Sequence, residues 1–210
     1  MYKYVKRFLD LIFCLIGFVF AIIPMIIVAI AIKIDSRGPV FFKQERTGKN
    51  GKNFYLYKFR SMAKDNDVMN FKSENKVTKV GAFIRKTSLD ELPQLINILK
   101  GDMSFIGPRP WITEYYKNFN KRQKRRVEVL PGITGLAQAT GRNNLNVFEK
   151  INYDIEYVDN FSFKQDIKVI FMTIKTVLSK EGAELSKYGI KEELEDLKNQ
   201  NKKESKEKLA

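Results

Sequence analysis

The residues able to do chemistry crowd into one stretch of this 210-residue chain, Phe83–Pro110, which reads FIRKTSLDELPQLINILKGDMSFIGPRP. Asp90 and Glu91 are adjacent carboxylates, with Arg85 and Lys86 before them and Arg109 after. One reading is a helix-capping box, Ser88-x-x-Glu91. It would place Pro93 at the fifth helical position, where a missing N–H begins to matter. Proline suits the first helical position better, so the helix start moves to Leu92. The acidic pair then lies just before a helix N-terminus, where the positive dipole end favours carboxylate and phosphate alike. Adjacent carboxylates among cations suit a nucleophile or base working on phosphate.

Three further patterns carry basic or small residues. In Gly107-Pro108-Arg109-Pro110 the proline rings restrict the backbone on both sides of one guanidinium, a fork suited to phosphate. As an isolated pattern it equally fits a loop salt bridge. Lys58 and Arg60 alternate at the end of a β-like segment and share a face, as a phosphate-binding wall or a solvated edge. Pro131–Gln138 (PGITGLAQ), followed by Gly141-Arg142-Asn143, is dense in small residues that let backbone approach a ligand. It matches neither a P-loop nor a dinucleotide fingerprint.

Absences narrow the chemistry. The chain has no histidine, which excludes imidazole bases, Ser-His-Asp triads and histidine metal sites. Its single cysteine, Cys14, lies in an apolar run and cannot build a disulfide or a zinc site alone. Carboxylates, Lys, Arg, Tyr, Ser and Thr remain, with an oxygen-liganded cation such as Mg²⁺ as the natural helper. With 38 Lys and Arg against 24 Asp and Glu, the formal charge is +14. Such an excess attracts polyanions: nucleic acid, anionic lipid or phosphorylated substrates.

The elements that position these residues begin with an uncharged segment at 11–32, LIFCLIGFVFAIIPMIIVAIAI. As a helix it would extend about 33 Å, against a bilayer core of roughly 30 Å. Its length, Pro24 and the lack of a small-x-small site argue against a cleaved signal. Lys3, Lys6 and Arg7 precede it and Lys33, Arg37 and Lys43 follow, so both ends carry a cytoplasmic signature. A helix that breaks at Pro24, dips into the bilayer and returns satisfies both flanks; a kinked spanning anchor is the alternative. Val40–Lys43 and Phe54–Phe59 read as a hairpin around Gly48-Lys49-Asn50-Gly51, and 63–79 as a polar connecting loop. A helix follows Pro93, with Leu92, Leu95, Ile96 and Leu99 as its apolar stripe and Gly101 as its end. Phe163–Lys180 forms an amphipathic helix with Ile167, Ile170, Phe171, Ile174 and Leu178 on one face. Lys164, Lys168 and Lys175 suit a membrane surface, and packing on the core is the alternative. The expected class is α+β, mostly helical: a re-entrant membrane helix (1–35), a small cytoplasmic catalytic domain with a short hairpin and amphipathic surface helices (36–190), and a charged C-terminal tail (191–210) that is a solvated or frayed helix.

From Lys6-Arg7-x-x-Asp10 to about residue 180 the chain resembles the bacterial sugar transferase family, the monotopic phosphoglycosyl transferases that initiate glycan assembly on polyprenol phosphate. YKFRSM, SLDELPQLINILKGDMSFIGPRP and PGITGLAQ, in that order and spacing, carry the resemblance. Relatives often have Ser-Pro where this chain has Ile23-Pro24. The resemblance implies a small, catalytic-core-only member at the cytoplasmic face of the bacterial inner membrane, with Pro24 as the membrane-helix break. It implies transfer of a sugar 1-phosphate from a UDP-sugar to a polyprenol phosphate such as undecaprenyl phosphate, releasing UMP. Asp90 would be the nucleophile and a Mg²⁺ ligand, and Glu91 would position groups or move a proton. Lys58, Arg60, Arg85 and Arg109 would hold phosphate, while Gly132, Thr134, Gln138, Arg142 and Asp166 would serve the nucleotide end, Asp166 alternatively capping its helix. Self-association or pairing with other glycan-assembly enzymes fits such a role; a nucleic-acid partner does not. The rival reading is a membrane-tethered basic binder of anionic lipid or nucleic acid without catalysis. Its support is the Lys121–Arg126 run, KRQKRR, read here as lipid headgroup contact.

Overall fold

The computed structural model describes residues 1–63, 77–141, 144–179 and 189–207, with side chains through 203. The polar residues 64–76, Arg142, Lys180 and 208–210 lie outside that range. The class is α+β and mostly helical, as expected. The chain divides into two compact units: Met1, Lys3–Gln44 and Tyr55–Met103 form the first, and Tyr2, Glu45–Phe54 and Ser104–Ala210 the second.

Helix α1 (Tyr2–Asp35) is the longest element of the first unit. It is the one described helix long and apolar enough to cross a membrane. A stripe at Cys14, Ala21, Val28 and Ile32 is buried, while Phe13, Val19, Phe20, Ile23, Ile27 and Ile34 are exposed. Lipid suits that outer face, because a helix satisfies every backbone group internally. Pro24, the expected break, lies inside α1, and helical structure is assigned on both sides of it. Proline removes one ladder bond, and flanking turns anchored by Cys14 and Ala21 before it and Val28 and Ile32 after it keep the helix going. Both ends are tied within the unit. Arg7 donates to the carbonyls of Ile98 and Leu99, and the Asp35 carboxylate accepts the Val80 amide at 3.0 Å.

Strands β1 (Phe41–Thr47) and β2 (Asn53–Phe59) make the expected hairpin, turning through a 3₁₀ turn at Lys49–Gly51. Helix α2 (Lys79–Lys86) is capped by Thr78, whose hydroxyl accepts the Gly81 amide. Its Ile84 joins Phe59, Val28 and Ile32 in the core of this unit. Fully burying each such side chain contributes about 1.5–3 kcal/mol. Helix α3 (Gln94–Lys100) starts after Pro93 and ends at Gly101, whose φ of 87° is the left-handed conformation that favours glycine. Its buried face carries Gln94, Leu95, Asn97 and Ile98; Leu99, expected inside, is exposed.

The second unit centres on a parallel pair, β3 (Ser104–Ile106) and β4 (Gly132–Thr134), in register Ser104 to Gly132 and Ile106 to Thr134. Helices α4 (Thr113–Lys117), α5 (Leu136–Thr140), α6 (Val147–Asp159), α7 (Phe163–Ser179) and α8 (Ile190–Glu207) complete it. Asn146 and Glu149 form a full capping box at the start of α6. One core joins Ile106, Leu136, Tyr157 and Val169, and another joins Ile112, Tyr115, Phe119, Val147, Ile151 and Leu197.

Two expectations about the helices are settled by burial. The apolar stripe of α7 faces outward: Ile167, Ile170, Phe171, Ile174 and Leu178 are exposed, whereas Gln165, Asp166, Val169 and Thr176 point inward. The segment after 190 is not a solvated tail. Ile190, Leu194 and Leu197 pack into the core, and buried Glu193 accepts from the Tyr115 hydroxyl and from Lys150 at 2.8 Å. Three apolar residues at helical spacing outweigh the charged composition around them.

Candidate active site

In the first unit, Asp90 and Glu91 sit on a one-turn 3₁₀ segment, Leu89–Glu91. Ser88 has a φ of 57° and makes no cap bond, so the capping-box reading fails. Helix α3 starts later than Leu92, at Gln94, which leaves the two carboxylates outside any α-helical ladder. Lys58 Nζ lies 2.6 Å from Glu91 Oε1 and 3.9 Å from Asp90 Oδ2. Asp90, Glu91 and Lys58 are 14%, 20% and 19% exposed, a partly desolvated cluster still open to a ligand. One ammonium thus offsets two neighbouring anions that would otherwise repel.

The strand carrying Lys58 is held from α3. Asn97, fully buried, accepts the Tyr57 amide at 3.1 Å and donates to the Tyr55 carbonyl at 2.8 Å, doing the work of a neighbouring strand. Arg85, half-buried in the last turn of α2, makes no hydrogen bond or ion pair with a described residue, which leaves its fork available to phosphate. Arg60 is a correction. It is buried and donates to the carbonyls of Arg37 and Ser36 and to the Ser36 hydroxyl, at 2.6 to 2.8 Å. Its fork clasps the chain just after α1 and does not present charge to a phosphate.

In the second unit, four consecutive carbonyls around Arg109 each receive a donor. Pro108 O accepts the Gly132 amide, Arg109 O accepts Arg126, Pro110 O accepts Arg46, and Trp111 O accepts the Thr47 amide. The Arg109 side chain, between its two prolines, is exposed. The glycines of PGITG serve this arrangement. A Cβ on Gly132 would lie 2.1 Å from Gly107 N, and one on Gly135 would lie 2.2 Å from Gly107 O. Their smallness therefore admits the GPRP backbone, which corrects Gly132 as a ligand cradle. Thr134 is likewise engaged, its hydroxyl 2.9 Å from that of Thr173. Gln138 differs: both polar atoms of its amide are buried without a hydrogen bond among the described residues. Asp166 is buried and accepts the hydroxyls of Tyr157 and Tyr2, each at 2.5 Å, so it joins protein elements rather than facing a nucleotide. Arg142 lies outside the described residues.

The KRQKRR run divides. Arg125 pairs with Asp159, and Arg126 is core: its Nε and Nη2 donate to Asp154 Oδ2 at 3.0 and 2.6 Å, with both side chains 2% exposed. Its guanidinium lies 4.3 Å from the centre of the Trp111 ring. Burial pushes the Asp154 carboxyl above the usual carboxylate range, and the Arg126 charge offsets part of that rise. Lys121, Arg122 and Lys124 are exposed, and the Arg125 side chain keeps 42% of its surface.

No group of three or more acidic, histidine or cysteine residues that would cage a metal occurs among the described residues. Mg²⁺ does not need one. It binds through one or two carboxylates and completes its shell with substrate phosphate and water. The oxygen donors of Asp90 and Glu91 fit a Mg²⁺ shared with a diphosphate.

Asn97 and Arg126 were missed from the sequence. Asn97 left a signal, a polar residue between apolar Leu95 and Ile98 on a helical stripe. Arg126 left none, since nothing in KRQKRR separates a core arginine from its exposed neighbours.

A model of the bacterial sugar transferase family matches residues 1–180. The chain is 48% identical over 163 residues to the uncharacterized sugar transferase EpsL of Bacillus subtilis (strain 168), covering 77% of this chain and 80% of that one. It is 44% identical over 202 residues to the galactosyl transferase CpsE of Streptococcus agalactiae serotype III (strain NEM316), covering 87% of this chain and 45% of CpsE. It is also 45% identical over 159 residues to a UDP-glucose:undecaprenyl-phosphate glucose-1-phosphate transferase of Escherichia coli (strain K12), covering 70% of this chain and 34% of that enzyme. The chain therefore spans less than half the length of the last two relatives.

Proposed function

The chain belongs to the bacterial sugar transferase family, and from that premise we propose that it transfers a sugar 1-phosphate from a UDP-sugar to a membrane polyprenol phosphate, with undecaprenyl phosphate as the acceptor. The observation that carries this reading is the Asp90-Glu91 pair, outside any helical ladder and partly desolvated beside Lys58, in a chain with no histidine.

Asp90 Oδ attacks the sugar-bearing phosphorus of the donor. An aspartyl O–P bond forms as the bond to the UMP oxygen breaks, and UMP departs with the bonding pair. A phosphate monoester has its second pKa near ~6, so this leaving group needs no protonated histidine. The acceptor phosphate then attacks the same phosphorus, its oxygen forms the new diphosphate bond, and Asp90 leaves as carboxylate. Glu91, held by Lys58, keeps the nucleophile oriented, and the Lys58 ammonium offsets carboxylate charge. Arg85 and Arg109 are the proposed phosphate ligands, each offering charge-assisted bonds to an anionic oxygen. Gln138 is the proposed contact for the nucleotide end. Bound at Asp90 and Glu91, Mg²⁺ supplies charge neutralisation for the diphosphate.

A cytoplasmic-face, re-entrant placement of α1 is part of this proposal. Arg7 and Asp35 tie opposite ends of the helix to one unit, whereas a spanning anchor would leave one end across the bilayer. The exposed apolar stripe of α7 suits the headgroup boundary.

The test is UMP release by detergent-solubilised protein with Mg²⁺ and undecaprenyl phosphate across a panel of UDP-sugars, beside Asp90→Asn and a chelated control. Release by the wild type alone, lost on chelation, is the expected result. UMP release that survives Asp90→Asn unchanged would remove Asp90 from the chemistry, and none from any donor would leave the anionic-lipid binder as the better reading.

A further inference from the structure

We propose that Arg126 and Asp154 act as a positioning pair that fixes the Pro108-Arg109-Pro110 loop and so aims the Arg109 guanidinium at substrate phosphate. The inference rests on the assignment of Arg109 as a phosphate ligand.

Arg126 closes a run of basic residues, yet it is buried with Asp154. Placing two charges in the interior is expensive, and a buried ion pair is weak support for stability alone, since apolar side chains of similar volume often serve as well. The pair is also incompletely bonded: Asp154 Oδ1 is buried without a hydrogen bond among the described residues. Stability therefore does not account for it.

Its contacts point elsewhere. Arg126 Nη2 bridges two acceptors, Asp154 Oδ2 at 2.6 Å and the Arg109 carbonyl at 2.7 Å. Asp154 fixes the plane of the fork, Trp111 lies against its face, and the second N–H of Nη2 is delivered to the backbone of the one exposed arginine in the loop. Arg126 and Arg109 also line one shallow cleft with Pro108, Pro110 and Pro131. A lysine would keep the charge and lose both the fork and the stacking. Prolines on either side of Arg109 supply no N–H donors, so the carbonyls are what the protein can grip. Gripping them removes backbone freedom that phosphate binding would otherwise have to quench, and displacement of a positioned group by about 1 Å is worth up to ~10² in rate.

The test is a double-mutant cycle on kcat/KM for the UDP-sugar, with melting temperature as a folding control. Arg109→Ala lowers kcat/KM about a hundredfold. Arg126→Lys lowers it roughly tenfold in the Arg109 protein, chiefly through KM, and less than about twofold in the Arg109→Ala background. Should Arg126→Lys not fold, Asp154→Asn takes its place in the same cycle with the same pattern expected. An equal loss in both backgrounds would overturn the proposal, because a general structural defect does not depend on which side chain occupies position 109. Wild-type kcat/KM in Arg109→Ala would instead overturn the phosphate assignment, and this inference with it.

Discussion

Two clusters of opposite charge, one in each unit, use the same side-chain chemistry in opposite surroundings. Lys58 meets Asp90 and Glu91 where each side chain keeps 14% to 20% of its surface, and one lysine faces two acids. Arg126 meets Asp154 at 2% exposure, one to one, with an aromatic ring against the cation. The first cluster keeps a path to solvent, which a reacting group requires. The second is closed, and a further Arg126 donor serves a backbone carbonyl. Exposure, more than the mere presence of an ion pair, separates an open cluster from a closed one.

The comparison breaks most sharply at Asp90. Asp90→Asn should lower turnover by at least about a thousandfold, ~4 kcal/mol of barrier, with melting temperature unchanged; retained UMP release would show the open cluster to be structural. In the closed cluster the effect moves to stability. Asp154→Ala strands Arg126 and should cost about 3–5 kcal/mol, read as a fall in melting temperature. Lys58→Ala should fall between, changing stability by about 1 kcal/mol or less while lowering turnover roughly a hundredfold. If Lys58→Ala were the more destabilising of the two, the distinction drawn from exposure would be wrong.

A titration sharpens the same contrast. Because burial raises the Asp154 carboxyl in the folded chain, the native state keeps this proton after the unfolded chain has lost it. Its contribution to stability is full below the unfolded carboxylate value near ~4 and fades as pH rises through the folded value. The melting temperature of the wild type relative to Asp154→Asn should therefore fall between pH 4 and pH 7; a rise would mean that the Arg126 charge outweighs burial. The smallest effect belongs to Tyr115, whose hydroxyl donates to Glu193 and is raised well above the usual phenol range by burial and that carboxylate. Tyr115→Phe leaves Glu193 with Lys150 and should cost about 1–2 kcal/mol without altering kcat/KM.

Local sequence made part of this legible. Apolar periodicity marked α1, α3 and α7, proline and glycine marked both ends of α3, and the adjacency of Asp90 and Glu91 marked the open cluster. What escaped depends on partners far along the chain. Arg60 looked like a phosphate ligand because strand alternation says which side a residue faces and not whether carbonyls of Ser36 and Arg37 wait there. The glycines of PGITG looked like a ligand cradle because a gap for backbone reads the same whether the backbone belongs to GPRP or the space to a nucleotide. Composition hid the packing of α8, where three apolar residues join the core within a mostly charged sequence.

Whether Asp90 carries the sugar phosphate covalently can be read by peptide mass spectrometry. The detergent-solubilised enzyme is incubated with Mg²⁺ and its active UDP-sugar in the absence of polyprenol phosphate, then quenched and digested. Close to one UMP should be released per chain, with an adduct of one sugar phosphate on the peptide containing Asp90 that disappears when acceptor is added. UMP released only when acceptor is present, with no adduct on any peptide, would mean direct transfer between the two substrates and would contradict a covalent role for Asp90.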